Sequence, residues 1–145
     1  MQKIRIVAVG KLKESFWRDA VAEYVKRLSR FASVEIRELP ERATLAEEAK
    51  DILAACSGYV VALAVEGEKM DSETFASTIK KRTDEGAELT FVIGSSCGLS
   101  DEVKRAARLR LSFSDMTLPH QLMRVVLTEQ IYRAFMINAN SVYHK

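Results

Sequence analysis

The sequence predicts one α/β domain on a doubly wound, mostly parallel sheet with helices on both faces. Three observations carry that prediction. Short apolar runs alternate with stretches of helical period from one end of the chain to the other. The run at 59–65 is apolar throughout, as a strand covered on both faces should be, and that at 89–93 is apolar apart from Thr90. The chain has 145 residues, the size of one domain, and buries roughly 70% of its extended surface.

Lys3 to Val9 carries Ile4 and Ile6 among apolar neighbours and stops at Gly10, which reads as a strand and a turn. Phe16, Trp17, Ala20, Val21, Tyr24, Val25 and Leu28 recur at helical spacing. Val34 to Leu39 is a second strand, closed by Pro40, and Thr44-Leu45-Ala46-Glu47 is a capping box opening a helix to about Ala55. Tyr59 to Val65 is the third strand. Asp71 caps the next helix, Lys80, Lys81 and Arg82 suit its C-terminal end, and Gly86 terminates it. Leu89 to Ile93 is the fourth strand, Ser100-Asp101-Glu102 opens a short helix, and Leu109 to Phe113 is the fifth strand. A helix from His120 to about Ala139 closes the chain. Periodicity does not give the strand order.

That last helix is apolar nearly all round, with Leu122, Met123, Val126, Leu127, Ile131, Phe135 and Met136 on every side. Such a helix is buried on more than one face. The protein's own sheet covers one, and a second subunit is expected over another. Glu129 and Arg133 are spaced to pair at i,i+4, whereas His120, Arg124 and the tail ending in Tyr143-His144 have no partner visible in the sequence.

The formal charge of +2 is unevenly spread: +5 over residues 1–33, −3 over 34–58, −2 over 59–108 and +2 over 109–145. A basic N-terminal third suits nucleic acid, although a solvated helix face also carries Lys and Arg. Cys56 and Cys97 lack C-x-x-C spacing and there are two histidines, so neither a disulfide framework nor a metal site is expected. No segment is apolar and long enough to span a membrane and no leader follows Met1, which makes the cytoplasm the expected address.

In sheets of this kind ligands sit beyond the carboxyl ends of the strands. That rule selects four loops: Gly10 to Lys13, Leu63 to Glu68, Gly94 to Gly98, and Ser114 to Pro119. Gly94-Ser95-Ser96-Cys97-Gly98 admits three chemistries. As G-x-S-x-G it imitates a nucleophile elbow, with Ser96, Asp115 and His120 in hydrolase order. The chain is short for that fold, has no HGGG-type segment, and places Asp115 and His120 on one loop. As a thiol site, Cys97 lacks a resolving cysteine or a base. As a binding loop the segment lacks the lysine of a P-loop, and Gly10 stands without G-x-G-x-x-G, which disfavours nucleoside triphosphates and ordinary dinucleotides. Phe113 to Pro119 offers backbone polar groups between apolar side chains. It suits the flat edge of an adenine or an ordinary strand-to-helix connection.

Several segments together resemble one family. They are Val7-Ala8-Val9-Gly10-Lys11, Ile93-Gly94 with Gly98-Leu99, Thr117-Leu118-Pro119-His120 with Arg124-Val125, Glu129, Tyr132-Arg133-Ala134, and the terminal Tyr143-His144. Over essentially its whole length the chain resembles the RlmH proteins, small SPOUT-superfamily methyltransferases that act on large-subunit ribosomal RNA. The resemblance implies a C-terminal trefoil knot, a homodimer and S-adenosylmethionine as cofactor. By motif match it implies a cofactor site at Leu63, Gly94 and Phe113, Ser114, Asp115, Met116, Thr117 and Leu118. The implied reaction is methyl transfer to N3 of a pseudouridine in 23S rRNA of the assembled ribosome, with no metal and no membrane. Family members commonly carry a second glycine where this chain has Ser95, and a proline or small residue where it has Val142.

For that reaction His144 and His120 are the side chains suited to proton exchange near neutrality, and Tyr143 can stack on an extruded base. The tail is the preferred choice, since His120 begins a buried helix. The expected catalytic set is His144, Tyr143 and Arg124, with the tail of one subunit meeting loops of both. Arg124 and Arg133 are expected at phosphate or at the partner, and Lys11 and Lys13 along the RNA backbone. The competing expectations are an inactive RNA- or ribosome-binding protein of the same fold, and a small serine hydrolase using Ser96.

Overall fold

The computed structural model describes residues 1–145, in which strand and helix alternate throughout: β1 (Gln2–Val9), α1 (Ser15–Leu28), β2 (Ala32–Leu39), α2 (Leu45–Ala55), β3 (Tyr59–Lys69), α3 (Ser72–Asp84), β4 (Leu89–Ile93), α4 (Asp101–Ala106), β5 (Leu109–Ser112) and α5 (His120–Asn138). All five strands run parallel in one sheet of order β2-β1-β4-β3-β5. Because all strands are parallel, their carboxyl ends share one rim, and the order β4-β3-β5 makes the loops after these three strands neighbours.

Local chemistry accounts for the helix starts. Thr44 Oγ1 accepts from the Glu47 N–H at 3.2 Å, Asp71 Oδ1 from Thr74 N–H at 2.7 Å, and Ser100 Oγ from Val103 N–H at 3.2 Å. Each cap satisfies one of the amides that a helix start leaves unpaired, worth about 1 kcal/mol.

Alternation along the strands splits the core in two. Ile4, Ile6 and Ala8 of β1 face one side with Phe91 and Ile93 of β4, beneath α1, α3 and α5. Val7, Val9 and Val92 face the other, against Ala49 and Ile52 of α2 and Val103 of α4. Helix α5 lies between α1 and α3 and buries Leu127, Ile131, Ala134 and Met136. Part of the cover expected from a second subunit therefore comes from these two flanking helices. A half-buried stripe of Leu122, Val125 and Val126 remains on the outside of α5.

The third strand corrects the expected boundary at Val65. It pairs with β5 up to Leu63, breaks register, and resumes pairing from Glu68 to Lys69. The Glu66-Gly67-Glu68 stretch hides this continuation, because an edge pairing does not require an apolar run. Residues 64–66 leave the ladder, and Gly67 returns against the Arg110 backbone, where a Cβ would collide with the Arg110 carbonyl. No helix is long and apolar enough to cross a membrane.

Candidate active site

At the carboxyl ends of β3, β4 and β5 three loops enclose a cavity of about 590 Å³, inside the range of roughly 300–1,000 Å³ usual for small-molecule sites. Leu63, Ile93, Leu99, Leu111, Phe113 and Leu118 supply apolar wall, and His120 and Met123 close it from the start of α5. The cavity therefore combines apolar walls with the backbone groups of two turns.

The 94–98 turn is held by its glycines and one side chain. A Cβ at Gly94 would collide with the carbonyl of Gly98, so the chain can fold back on itself here only with glycine. Gly98 has φ +84°, and its N–H donates to the Ser95 carbonyl at 2.9 Å. Ser95 Oγ donates to Glu48 Oε1 at 3.1 Å and accepts from the Cys97 N–H at 3.3 Å.

The 113–118 loop pairs only part of its backbone. Ser112 Oγ donates to the Ser114 carbonyl at 3.0 Å, and the Met116 N–H donates to Ser114 Oγ at 2.9 Å. The peptide groups of Thr117 and Leu118 make no hydrogen bond within the chain. Donors and acceptors left free beside an apolar wall fit the edge of a planar heterocycle such as adenine.

Leu63, Gly94, Phe113, Ser114, Met116, Thr117 and Leu118 all line this cavity. Asp115 does not; its exposed carboxylate turns outward to pair with Lys69. The hydrolase constellation is accordingly not assembled: Asp115 is taken by Lys69, and no hydrogen bond joins Ser96 to His120. The fourth loop chosen by rule, Gly10 to Lys13, lies outside the cavity.

Arg124 corrects the expectation that it faces phosphate or a partner. It is 1% exposed. Its guanidinium donates from Nη1 to Glu38 Oε2 at 2.6 Å and from Nη2 to the Gly10 carbonyl at 2.6 Å. Glu38 Oε2 also accepts the Leu12 N–H at 3.0 Å. The side chain thus ties α5 to the ends of β1 and β2, with Nε left buried and unpaired.

Within one chain, the tail folds back on the far half of α5. The Tyr143 hydroxyl donates to Glu129 Oε2 at 2.7 Å and its ring packs edge-on to Tyr132 at 4.8 Å. Arg133 pairs with Glu129 at 2.8 Å and meets His144 Nδ1 at 3.0 Å, while His144 Nε2 lies 3.4 Å from Glu73 Oε1. Burial, then the hydrogen bond to Glu129, pushes the Tyr143 phenol up to about 12. At 1.5 Å rise per residue, Arg133 stands roughly 15 Å along the helix from Met123 in the cavity wall.

Two features of the cavity escaped the sequence. Lys104 of α4 and Glu66 of the β3 excursion form an ion pair at its mouth, which holds the Glu66 carboxyl below its usual range. Nothing in residues 38 positions apart announces that pairing. Met123 carried a usable signal: it lies three residues after His120, on the same helix face.

A family model described as predicted SPOUT methyltransferase matches residues 2–144. The chain is 50% identical to the ribosomal RNA large subunit methyltransferase H of Streptococcus uberis, covering 99% of each chain. It is 48% identical to the protein of that name from Levilactobacillus brevis, covering 98% of this chain and 99% of the other. Among solved structures, a probable methyltransferase from Bordetella pertussis Tohama I superposes with TM-score 0.59 at 11% identity, covering 92% of this chain and 94% of that one. TrmJ from Z. mobilis ZM4 superposes with TM-score 0.53 at 16% identity, covering 92% and 70%. At such identities the superpositions speak for the fold alone.

Proposed function

The chain belongs to the SPOUT methyltransferase family, and from that premise we propose that it moves a methyl group from S-adenosylmethionine to N3 of a pseudouridine in 23S rRNA. The observation that carries this reading is the cavity at the shared rim, where three loops meet around free peptide groups. The relatives named ribosomal RNA large subunit methyltransferase H support ribosomal RNA as the substrate. That substrate places the reaction in the cytoplasm, on the ribosome.

When bound, S-adenosylmethionine supplies a methyl carbon that is already electrophilic. The protein's work is alignment, exclusion of water and removal of the N3 proton. Thr117 and Leu118 would receive the adenine edge through their peptide groups, and Leu63, Leu111 and Phe113 would keep water from its faces. The trefoil knot expected of the family belongs to this same meeting of loops.

A homodimer completes the site. Two copies of α5 packed antiparallel about a two-fold axis set the far half of each helix against the near half of its partner. The tail of one subunit then lies over the cavity of the other. The half-buried stripe of Leu122, Val125 and Val126 supports this contact. In that arrangement His144 accepts the N3 proton. Tyr143, whose phenol stays protonated far above neutral pH, stacks on the base or donates a hydrogen bond. Arg133 and Glu73 orient the imidazole: the proton enters at Nδ1 once the Arg133 guanidinium releases that nitrogen, and Glu73 opposite Nε2–H stabilises the imidazolium that forms.

The test is incubation of methyl-labelled donor with ribosomes from a strain lacking the protein, followed by mapping of the labelled nucleotide. Label at N3 of one pseudouridine of the large-subunit RNA is expected. Label on another atom or in another RNA overturns the substrate, and no label in the presence of ribosomes leaves a binding protein without catalysis.

A further inference from the structure

Glu48 is a buried carboxylate that the proposed reaction does not use. It sits in the first turn of α2 at 4% exposure and pairs with no cation. An ionised group taken out of water needs hydrogen bonds or a favourable field to offset its desolvation. Glu48 has both. The start of α2 offers its positive dipole end, Oε2 accepts the Arg42 N–H at 3.0 Å, and Oε1 accepts the Ser95 hydroxyl at 3.1 Å. The second bond crosses the sheet rim into the cavity wall, since Ser95 belongs to the 94–98 turn. Ser95 in turn holds the Cys97 N–H at 3.3 Å. One carboxylate therefore fixes the Pro40–Thr44 connection at one oxygen and the cavity turn at the other.

We infer that Glu48 is a positioning residue for the methyl-donor site: through the Ser95 hydroxyl it sets the shape of the 94–98 turn before the donor arrives. The inference rests on reading the cavity as the S-adenosylmethionine site. A purely structural carboxylate would need only the Arg42 amide, and its loss would show in stability alone. Glu48 divides its oxygens between a scaffold contact and a contact inside the cavity wall, and this predicts a split between the two readouts. Hydrogen bonds formed before binding spare the ligand the cost of ordering the turn.

The experiment compares wild type with Ser95→Ala, Glu48→Ala, Glu48→Gln and the Ser95→Ala/Glu48→Ala double variant. Amide hydrogen exchange across residues 94–98 is read on the unliganded protein, affinity by titration with S-adenosylmethionine, and stability by thermal melting. Ser95→Ala should speed exchange at Cys97 and weaken the donor about three- to tenfold; it also leaves Glu48 Oε1 buried without a donor and should lower the melting temperature by a few degrees. Glu48→Ala should change exchange and affinity in the same way and, by freeing the Arg42 amide as well, lower the melting temperature further. Glu48→Gln, which keeps an acceptor and gains a donor that the Ser95 hydroxyl can meet, should hold affinity within about threefold. The double variant should bind no worse than Glu48→Ala, because both changes cut one link. Unaltered exchange at 94–98 in Ser95→Ala and Glu48→Ala overturns the inference, as do losses of affinity that multiply in the double variant. A wild type that binds no donor overturns the cavity's assignment instead, and the exchange comparison still decides whether Glu48 holds the turn.

Discussion

The two halves of the sheet's carboxyl rim are built from the same strand-to-loop material and finished in opposite ways. Over β1 and β2 the rim is closed: Arg124 reaches down from α5, and its guanidinium takes up the Glu38 carboxylate and the Gly10 carbonyl. The Leu12 amide and the Leu39 carbonyl are paired there as well. Over β3, β4 and β5 the rim is open, and the peptide groups of Thr117 and Leu118 have no partner in the chain. A buried arginine and a binding cavity thus sit on one helix, at Arg124 and at His120 and Met123. Unpaired backbone beside apolar wall marks a place for a ligand, whereas a charged side chain alone does not.

Removing the closure should give the largest effect. Arg124→Ala empties the buried space of the guanidinium and leaves the Gly10 carbonyl without a donor, while water reaches the partly exposed Glu38 carboxylate, so the cavity and the lost hydrogen bonds together should cost about 3 kcal/mol. Urea unfolding measures it, with donor affinity of the folded fraction unchanged. A loss below about 1 kcal/mol would reduce the brace to a surface-type ion pair and erase the contrast between the halves. The open half is probed next by truncation after Val142. Loss of an aligned proton acceptor costs on the order of a hundredfold or more in rate, while donor binding should persist because the tail stands off the cavity of its own chain. Full methyl transfer by the truncated protein would remove His144 and Tyr143 from the reaction.

The closed half was the harder of the two to read from sequence. Arg124 and Glu38 are 86 positions apart, and only the insertion of β4 between β1 and β3, which no periodicity encodes, brings α5 over the first strand. The same blindness hid Lys104 against Glu66. Elements that depend on neighbours in sequence were legible: the capping box at Thr44, the cap at Asp71, the buried, mostly apolar strand Leu89–Ile93 and the Glu129–Arg133 pair. The open half was legible for a related reason. Its loops follow strands directly, so the rule that ligands sit beyond the carboxyl ends selects Leu63 to Glu68, Gly94 to Gly98 and Ser114 to Pro119 from the sequence alone, together with the Gly10 to Lys13 loop that lies outside the cavity. Asp115 falls in the Ser114 to Pro119 loop and points the other way, because direction within a loop depends on hydrogen bonds such as those of Ser114.

Gly98→Ala separates shape from space in the open half. A Cβ there meets nothing within 4 Å, yet φ is +84°, so strain alone should cost about 1–2 kcal/mol. Because the turn can relax by bending into the cavity, part of that strain should appear as weaker donor binding, and titration calorimetry beside thermal melting divides the two. Weaker melting with unaltered affinity would mean that the turn holds its shape without reference to the donor.

The smallest effect belongs to the tail. Tyr143 has its phenol raised to about 12 by burial and by donation to Glu129, against an unfolded value of about 10. For a group whose folded pKa is raised, the stabilisation is complete below the unfolded value and disappears as pH climbs through the folded one. Docking of the tail should hold to about pH 10 and be lost toward pH 12. The phenol is only half-buried, so solvent screening keeps the contribution to global stability small. A tyrosinate absorbance titration of wild type minus Tyr143→Phe isolates this single group among the four tyrosines. A difference curve with its midpoint near the ordinary value would mean that the phenol is not held by Glu129. The tail would then be free of its own α5, which would also remove the orientation that Arg133 and Glu73 give His144.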